Sequence, residues 1–428
     1  MKLLCISAFY PPAHYGGYEL RVSQVMAGLA QRGHEIRVLT TRKERGMTLA
    51  PVEVPFPVIR RLHWSGRKMQ WAERLTCHRL TNWLGVGIVF LRQIRWDIQD
   101  LKLIEKQIRD FKPDLIYLGH IMPLTREMLP FLARQSIPMV LDDGGITALT
   151  CYQERGLWRR FQSEYEPSLS FLRGLKNVFI KTVGWLSGGR LRLEWVWPEA
   201  LDVFFNSQLN LGNFEAGHVP ARRKAVIHSG VDTQQFSFER SKPFGNPLTI
   251  LLPGRIEPQK GQLDAVALAD TLKQSGIDCQ VMVVGDIWKQ DYLDRVEAEI
   301  HAQQLDDQVR ILPMQDIPSL VRLYQQADIC LFPSYHRTGF SRVPLEGMAC
   351  GSMVISYGNE GSDEIIRHGE TGFVIPQGGV AEAASLLQSL IVEPLRVGGI
   401  IEAARGFIEA NHSTECYIDQ IASYLGLR

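Results

Sequence analysis

Short apolar runs alternate with helix-patterned stretches along this chain, and the alternation restarts once, near its middle. That pattern constrains the fold most, because a buried run, a helix and another buried run specify parallel βαβ units. In the first half the strand-like runs are Leu3–Ser7, Glu35–Thr40, Leu115–Leu118, Pro138–Leu141 and Val203–Phe205. Val22, Val25, Met26 and Leu29 recur at helical spacing between the first two, and Gly33 reads as the helix stop. Ile94, Ile98, Leu101, Ile104 and Ile108 mark a second helix ending before Pro113. The register then restarts with Leu248–Leu252, Gln280–Val284, Val309–Leu312, Ile329–Phe332 and Met353–Ser356. The connection from Gly230 to Pro247, rich in Pro, Gly and polar residues, reads as a hinge. A length of 428 residues is about two to three average domains, so two α/β domains are expected.

A formal net charge of +1 exerts no global pull toward nucleic acid or membrane; such contacts must come from local clusters. The seven cysteines include no Cys-x-x-Cys pair, and the opening Met1-Lys2-Leu3-Leu4 has no signal-peptide pattern. Reduced thiols in a cytoplasmic protein are expected. The longest apolar run, Trp83–Leu91, is far short of the roughly 20 residues of a membrane span, so no spanning segment is expected.

Three loops carry candidate chemistry. The first, Phe9 to Gly17, ends in the pair Gly16-Gly17 just before a helix, where backbone N–H groups and the helix dipole favour an anion. A plain turn is the competing reading. The second runs from Gly254-Arg255 to Lys260-Gly261 at a strand end, with a planar guanidinium fork and a mobile ammonium suited to phosphate oxygens. In an open α/β sheet the ligand crevice lies outside the carboxyl ends of the strands, where this loop projects. A solvated charged loop is the alternative. The third runs from Phe332 to Gly351 and leads into a helix carrying Glu346, a carboxylate able to accept from a ribose diol or merely a first-turn acid.

Two stretches are basic and aromatic. Residues 60–95 hold eight Lys or Arg against Glu73 alone, among Trp64, Trp71, Trp83 and Phe90. Residues 155–192 hold eight against Glu164 and Glu166, among Trp158, Phe161, Phe171, Phe179 and Trp185. Peripheral contact with an anionic membrane, on its inner face for a cytoplasmic protein, is one reading. Inward-packed aromatics with solvated cations is the other. Nucleic acid is not expected, since no recognised module accompanies the charge.

Taken together, these segments resemble the retaining glycosyltransferase family 4 (glycosyl transferases group 1) of the GT-B fold. The resemblance rests on Pro11-Pro12…Gly16-Gly17, Gly33-His34-Glu35-Ile36-Arg37-Val38, Pro113 through His120, His228-Ser229-Gly230-Val231-Asp232, Gly254 through Gly261, and Pro333 through Gly351 with Asp363 through Val374. It implies two Rossmann-like domains with parallel sheets facing an interdomain cleft. The acceptor-binding domain would span 1–228 and the nucleotide-sugar domain 229–413, with a final helix near 414–428 packing back on the first. It also implies roles: Gly16 and Gly17 against donor phosphates and sugar, Arg255 and Lys260 on the departing diphosphate, Glu346 on the ribose, and His120 facing the sugar. Thr338, Gly339, Phe340 and Ser341 would line the donor. Retention by front-face substitution, with the leaving phosphate helping to deprotonate a glycan or lipid-linked acceptor, is expected without metal or other cofactor. No Asp-x-Asp motif stands at a strand end, and Asp142-Asp143 reads as part of an acceptor-side cleft.

The chain departs from the family pattern at Thr338, where a Glu is usual, and at Ser341 and Pro313, where Gly is usual. Sugar choice, rate and the grip on the base hinge on these positions. Two alternatives stay open: a disaccharide synthase, phosphorylase or epimerase of the same fold, and a nucleotide-sugar-binding subunit with low activity.

Overall fold

The structure, a computed structural model, describes residues 1–13, 17–42, 54–64, 82–153, 170–191, 197–239, 243–245, 247–337 and 339–427, without the side chains of 82–89 and 170–172. The chain divides into two compact units: Met1–Phe205 with Leu211–Ala225 and Ala422–Arg428, and Asn206–Asn210 with Val226–Ile421. The main division falls at Ala225/Val226 rather than after residue 228, and the closing helix gives only its end to the first unit.

The first sheet contains β1 (Lys2–Ile6), β2 (Glu35–Thr41), β3 (Val58–Leu62), β4 (Leu115–Leu118), β5 (Met139–Asp143), β6 (Leu201–Phe205) and β7 (Arg223–Val226), in the order β3-β2-β1-β4-β5-β6-β7. β1 runs parallel to β2 and β4, and β5 parallel to β4 and β6. The helices along this stretch are α1 (Gly17–Gln31), α2 (Asn82–Phe111), α3 (Met128–Leu132), α4 (Thr147–Gln153), α5 (Ser170–Leu186) and α6 (Gln208–Ala216). Val22, Val25, Met26 and Leu29 are fully buried, which fixes the core face of α1.

The second sheet contains β8 (Leu248–Pro253), β9 (Cys279–Val284), β10 (Val309–Leu312), β11 (Ile329–Phe332), β12 (Met353–Ser356) and β13 (Phe373–Val374), ordered β10-β9-β8-β11-β12-β13 and parallel at every pairing. Its helices are α7 (Gln262–Gln274), α8 (Gln290–Ala302), α9 (Ile317–Gln326), α10 (Val343–Cys350), α11 (Val380–Ile391), α12 (Pro394–Asn411) and α13 (Thr414–Leu425). Strand alternation divides the core: Ile250, Ile329, Leu331 and Ile355 join one apolar cluster, while Leu251, Cys330 and Val354 join the other. Both faces are buried, so the strands read as continuous apolar runs.

In each sheet the strand order reverses beside the first strand, between β1 and β4 and again between β8 and β11. Loops leaving the carboxyl ends at such a reversal diverge to opposite faces and open a crevice. β3 and β7 escape the pattern of apolar runs because Arg60, Arg61, Arg223 and Lys224 interrupt them, and β13 because it is only two residues long. The connection from Gly230 to Pro247 is not a hinge between units but lies within the second. Val231 N donates to His412 O at 2.8 Å, Thr414 N donates to Val231 O at 3.0 Å, and Phe236 is buried. Its Pro and Gly residues mark a loop anchored by two apolar side chains.

Among the described residues no single helix is long and apolar enough to cross a membrane. α11 and α12 reach that length and composition only as a pair bent by 109°, and Leu387, Leu390, Ile400 and Ile401 bury their apolar faces in the core.

Candidate active site

In the second unit, the loop after β8 passes close under the loop after β11. Gly261 has φ +69°, and a Cβ there would lie 2.3 Å from the Pro333 carbonyl oxygen, so only glycine fits. The passage sets Lys260 Nζ 2.8 Å from Glu360 Oε1, with the side chains 14% and 4% exposed. Ser334 Oγ donates to the same carboxylate oxygen. The Lys260 ammonium also stands 5.4 Å over the Phe332 ring. Arg255 pairs with Glu257 at 2.9 Å, and its guanidinium lies 4.0 Å over the Trp288 ring. Each expected cation is therefore positioned by a carboxylate. Each also has more donors than one such pairing uses, since an ammonium carries three N–H and a guanidinium five.

The loop after β11 brings the other expected donor residues. Gly339 N donates to Asn210 Oδ1 at 3.3 Å, the Phe340 ring lies 5.7 Å from the His228 ring, and Ser341 Oγ accepts from Val343 N at 3.4 Å. α10 then packs tightly on β11: a Cβ at Gly347 would come within 2.8 Å of Cys330 Cβ. Next to it, Glu346 accepts from Tyr324 Oη at 3.0 Å and pairs with Arg342 at 3.2 Å. Glu364 accepts from the Gln208 and Leu209 amides at 2.8 Å each and pairs with His228 Nε2 at 2.9 Å. Burial alone would raise its carboxyl pKa, but the ring and the two amides outweigh burial and hold it below the ordinary value. Gly16 and Thr338 lie outside the described residues.

In the first unit, Gly17 opens α1 and Glu19 sits in its first turn. Glu19 Oε1 is 2.8 Å from Nδ1 of His120, which follows β4. An ionised carboxylate only accepts, so in this contact Nδ1 carries the proton, leaving Nε2 as the nitrogen turned away from Glu19. Tyr18 stacks on that ring at 5.1 Å and 24°, and Phe9 lies 6.0 Å away. Behind Tyr18, Asp142 is bonded by Arg21 and by Tyr117 Oη, the latter at 2.7 Å. Burial raises the Asp142 carboxyl in spite of the Arg21 charge. Asp143 accepts from the amides of Gly145 and Thr147 at 3.0 Å and of Ala148 at 2.8 Å, which caps α4. Burial outweighs those bonds and pushes its carboxyl up to about 6. Both side chains are enclosed, so Asp142-Asp143 does not line a cleft: it ties β5 to α1 and α4.

Residues 233–411 match the family described as glycosyl transferases group 1. That match covers less than half of the chain. The matched span holds the Gly254–Gly261 loop, the loop after β11 and Glu346. Among curated relatives, the amylovoran biosynthesis glycosyltransferase AmsK of Erwinia amylovora is 26% identical over 211 residues, 48% of this chain and 51% of AmsK. The chain spans about half the length of the curated relatives it matches. A glycosyltransferase from Rickettsia africae has the same fold, with TM-score 0.68 and 17% identity over 99% of this chain and 97% of its own. Anabaena HepE, solved in complex with UDP, aligns over 100% of both chains with TM-score 0.65 and 19% identity. The fold is thus GT-B: α/β, with two Rossmann-like parallel sheets.

Sequence reasoning did not find Glu19 or Glu360. Their partners lie 101 and 100 residues away, and no local pattern marks either carboxylate.

Proposed function

We propose that the chain transfers a sugar from a nucleotide-sugar donor to a glycan or lipid-linked acceptor, with retention at the anomeric carbon and without a metal ion. The observation that carries this reading is the Arg255–Lys260 loop at the carboxyl end of β8, beside the strand-order reversal and within the span that matches group 1. As the glycosidic bond lengthens, charge grows on the departing diphosphate, and fixed cations there lower the barrier. Lys260, held by Glu360, and Arg255, held by Glu257 and Trp288, are such cations. Glu346 is the ribose acceptor, and His120 Nε2 accepts from a sugar hydroxyl. HepE carries UDP in its solved complex, which favours a nucleoside diphosphate as the group bound here.

Incubating the full chain with labelled UDP-, GDP-, ADP- and dTDP-sugars and a cell-envelope extract tests this. A labelled sugar bonded to a larger acceptor, with its anomeric configuration kept, is the expected product. Soluble disaccharide or an epimerised donor would point to the other reactions of this fold. Donor bound but neither transferred nor hydrolysed would favour the binding-subunit reading that Thr338 raises.

Peripheral membrane contact belongs to the same proposal. On α5, Ile180 and Val183 pack inward, while Leu175, Val178, Trp185 and Leu186 are exposed beside the exposed Lys181. An apolar stripe flanked by cations suits the surface of an anionic bilayer. Of the two basic stretches, residues 65–81, 155–169 and 192 lie outside the described residues. In co-sedimentation with anionic vesicles at low salt, Trp185→Ser/Leu186→Ser should release most of the bound protein; unchanged binding removes α5 from the contact.

A further inference from the structure

A pocket of about 600 Å³ opens in the first unit at the carboxyl ends of β2 and β3. Arg42, just past β2, and His63, just past β3, face Arg92, Arg95 and Trp96 of α2 across it, with Leu91 at its rim. Among the described residues no carboxylate lines it. The nearby Asp100 is buried and bonded to His63, 2.7 Å from the ring Nδ1, and its charge also acts on Arg42. His63 stacks on Trp96 at 5.0 Å and 14°, and Arg92 lies 4.5 Å over the same indole. The side chains of Arg42 and Arg95 form no ion pair among the described residues.

Arg92 and Arg95 share a helix face, where like charges repel, and Arg42 adds a third guanidinium to the same space. Such convergence is favourable when an anion fills it. Planar forks from several directions suit a phosphoryl dianion, whose three oxygens each accept from more than one N–H. The pocket lies on the edge of the sheet that also carries His120. The Trp64 ring, adjacent in sequence to His63, is 5.9 Å from Phe9, and Phe9 is 6.0 Å from His120.

We propose that this pocket binds a phosphoryl group carried by the acceptor, set to one side of the sugar-transfer site and separated from it by Phe9 and Trp64. This rests on the glycosyl-transfer reading and deepens it: the acceptor is a phosphate ester, on a soluble sugar or on a lipid.

The test is calorimetric titration of the full chain with inorganic phosphate, glucose 1-phosphate, farnesyl phosphate below its micellar concentration, and farnesol as the phosphate-free control. Arg42→Gln/Arg95→Gln should weaken binding of both esters by about tenfold or more, while Arg42→Lys/Arg95→Lys retains most of it. Farnesol binding should not change. Tighter binding of farnesyl phosphate than of glucose 1-phosphate assigns the phosphate to a lipid; the reverse assigns it to a soluble acceptor. The proposal is overturned if the wild type binds neither ester, or binds both as the folded Gln variant does. If that variant does not fold, Arg95→Gln alone replaces it in the comparison. A parallel titration with nucleotide sugars separates the two claims, since donor binding without ester binding sinks only this one, and the converse sinks only the functional reading.

Discussion

Lys260 is proposed as a diphosphate ligand, and the fold adds an ion pair that its sequence context does not reveal. As a diphosphate ligand alone it would be replaceable without loss of stability. Its ion pair with the enclosed Glu360 changes that expectation, because truncating one partner leaves a buried carboxylate uncompensated. Lys260→Ala should therefore lower stability by about 3 kcal/mol in denaturant titration, and adding Glu360→Gln should restore most of it. At His120 the separation runs the other way. His120→Ala should cut kcat about 100-fold with the donor Kd little changed, and Glu19→Ala should reproduce much of that loss by freeing the ring. Arg255 and Lys260 could be marked as candidates because they follow a strand-like run at a position where α/β sheets place ligands, whereas His120 was marked through the family resemblance. Glu19 and Glu360 were not, because pairing across about a hundred residues is a property of the folded chain.

Among the elements, the junction of α12 and α13 holds a titratable group that senses folding. His412 is buried, with rings of His228 at 5.8 Å and Phe407 at 5.1 Å, and its Nδ1 has no hydrogen-bond partner. Burial, helped by the His228 charge, lowers it from 6.5 to about 4. The unfolded chain therefore binds a proton at a pH where the native chain does not. Stability from this site is complete above pH 6.5 and is lost as pH falls toward 4, by up to about 3 kcal/mol. His412→Gln should flatten the melting-temperature profile between pH 7 and 4.5 relative to wild type; identical slopes would remove His412 as the cause. The core strands and the faces of α1 and α2 were readable from apolar spacing. The edge strands β3 and β7 were not, since Arg60, Arg61, Arg223 and Lys224 break the apolar runs, and the Gly230–Pro247 loop was misread because composition cannot show that Val231 and Phe236 are anchored.

At the scale of the molecule, one strand order is used twice, and both sheets place their charged loops beside the reversal. In the first unit that position holds His120 and Glu19; in the second it holds Arg255, Lys260 and the loop leading to Glu346. The repetition was visible in the sequence as a restarted register, whereas the division at Ala225/Val226 and the sharing of α13 depend on packing between distant segments. The proposed chemistry depends most on a nucleoside diphosphate held by the loop after β8. Calorimetric titration of UDP and GDP into wild type and into Arg255→Ala/Lys260→Ala/Glu360→Gln tests it directly. At least one nucleotide should bind the wild type, and the triple variant should lose about 100-fold or more in affinity while remaining folded. Equal affinity in the two proteins would contradict the assignment of this loop.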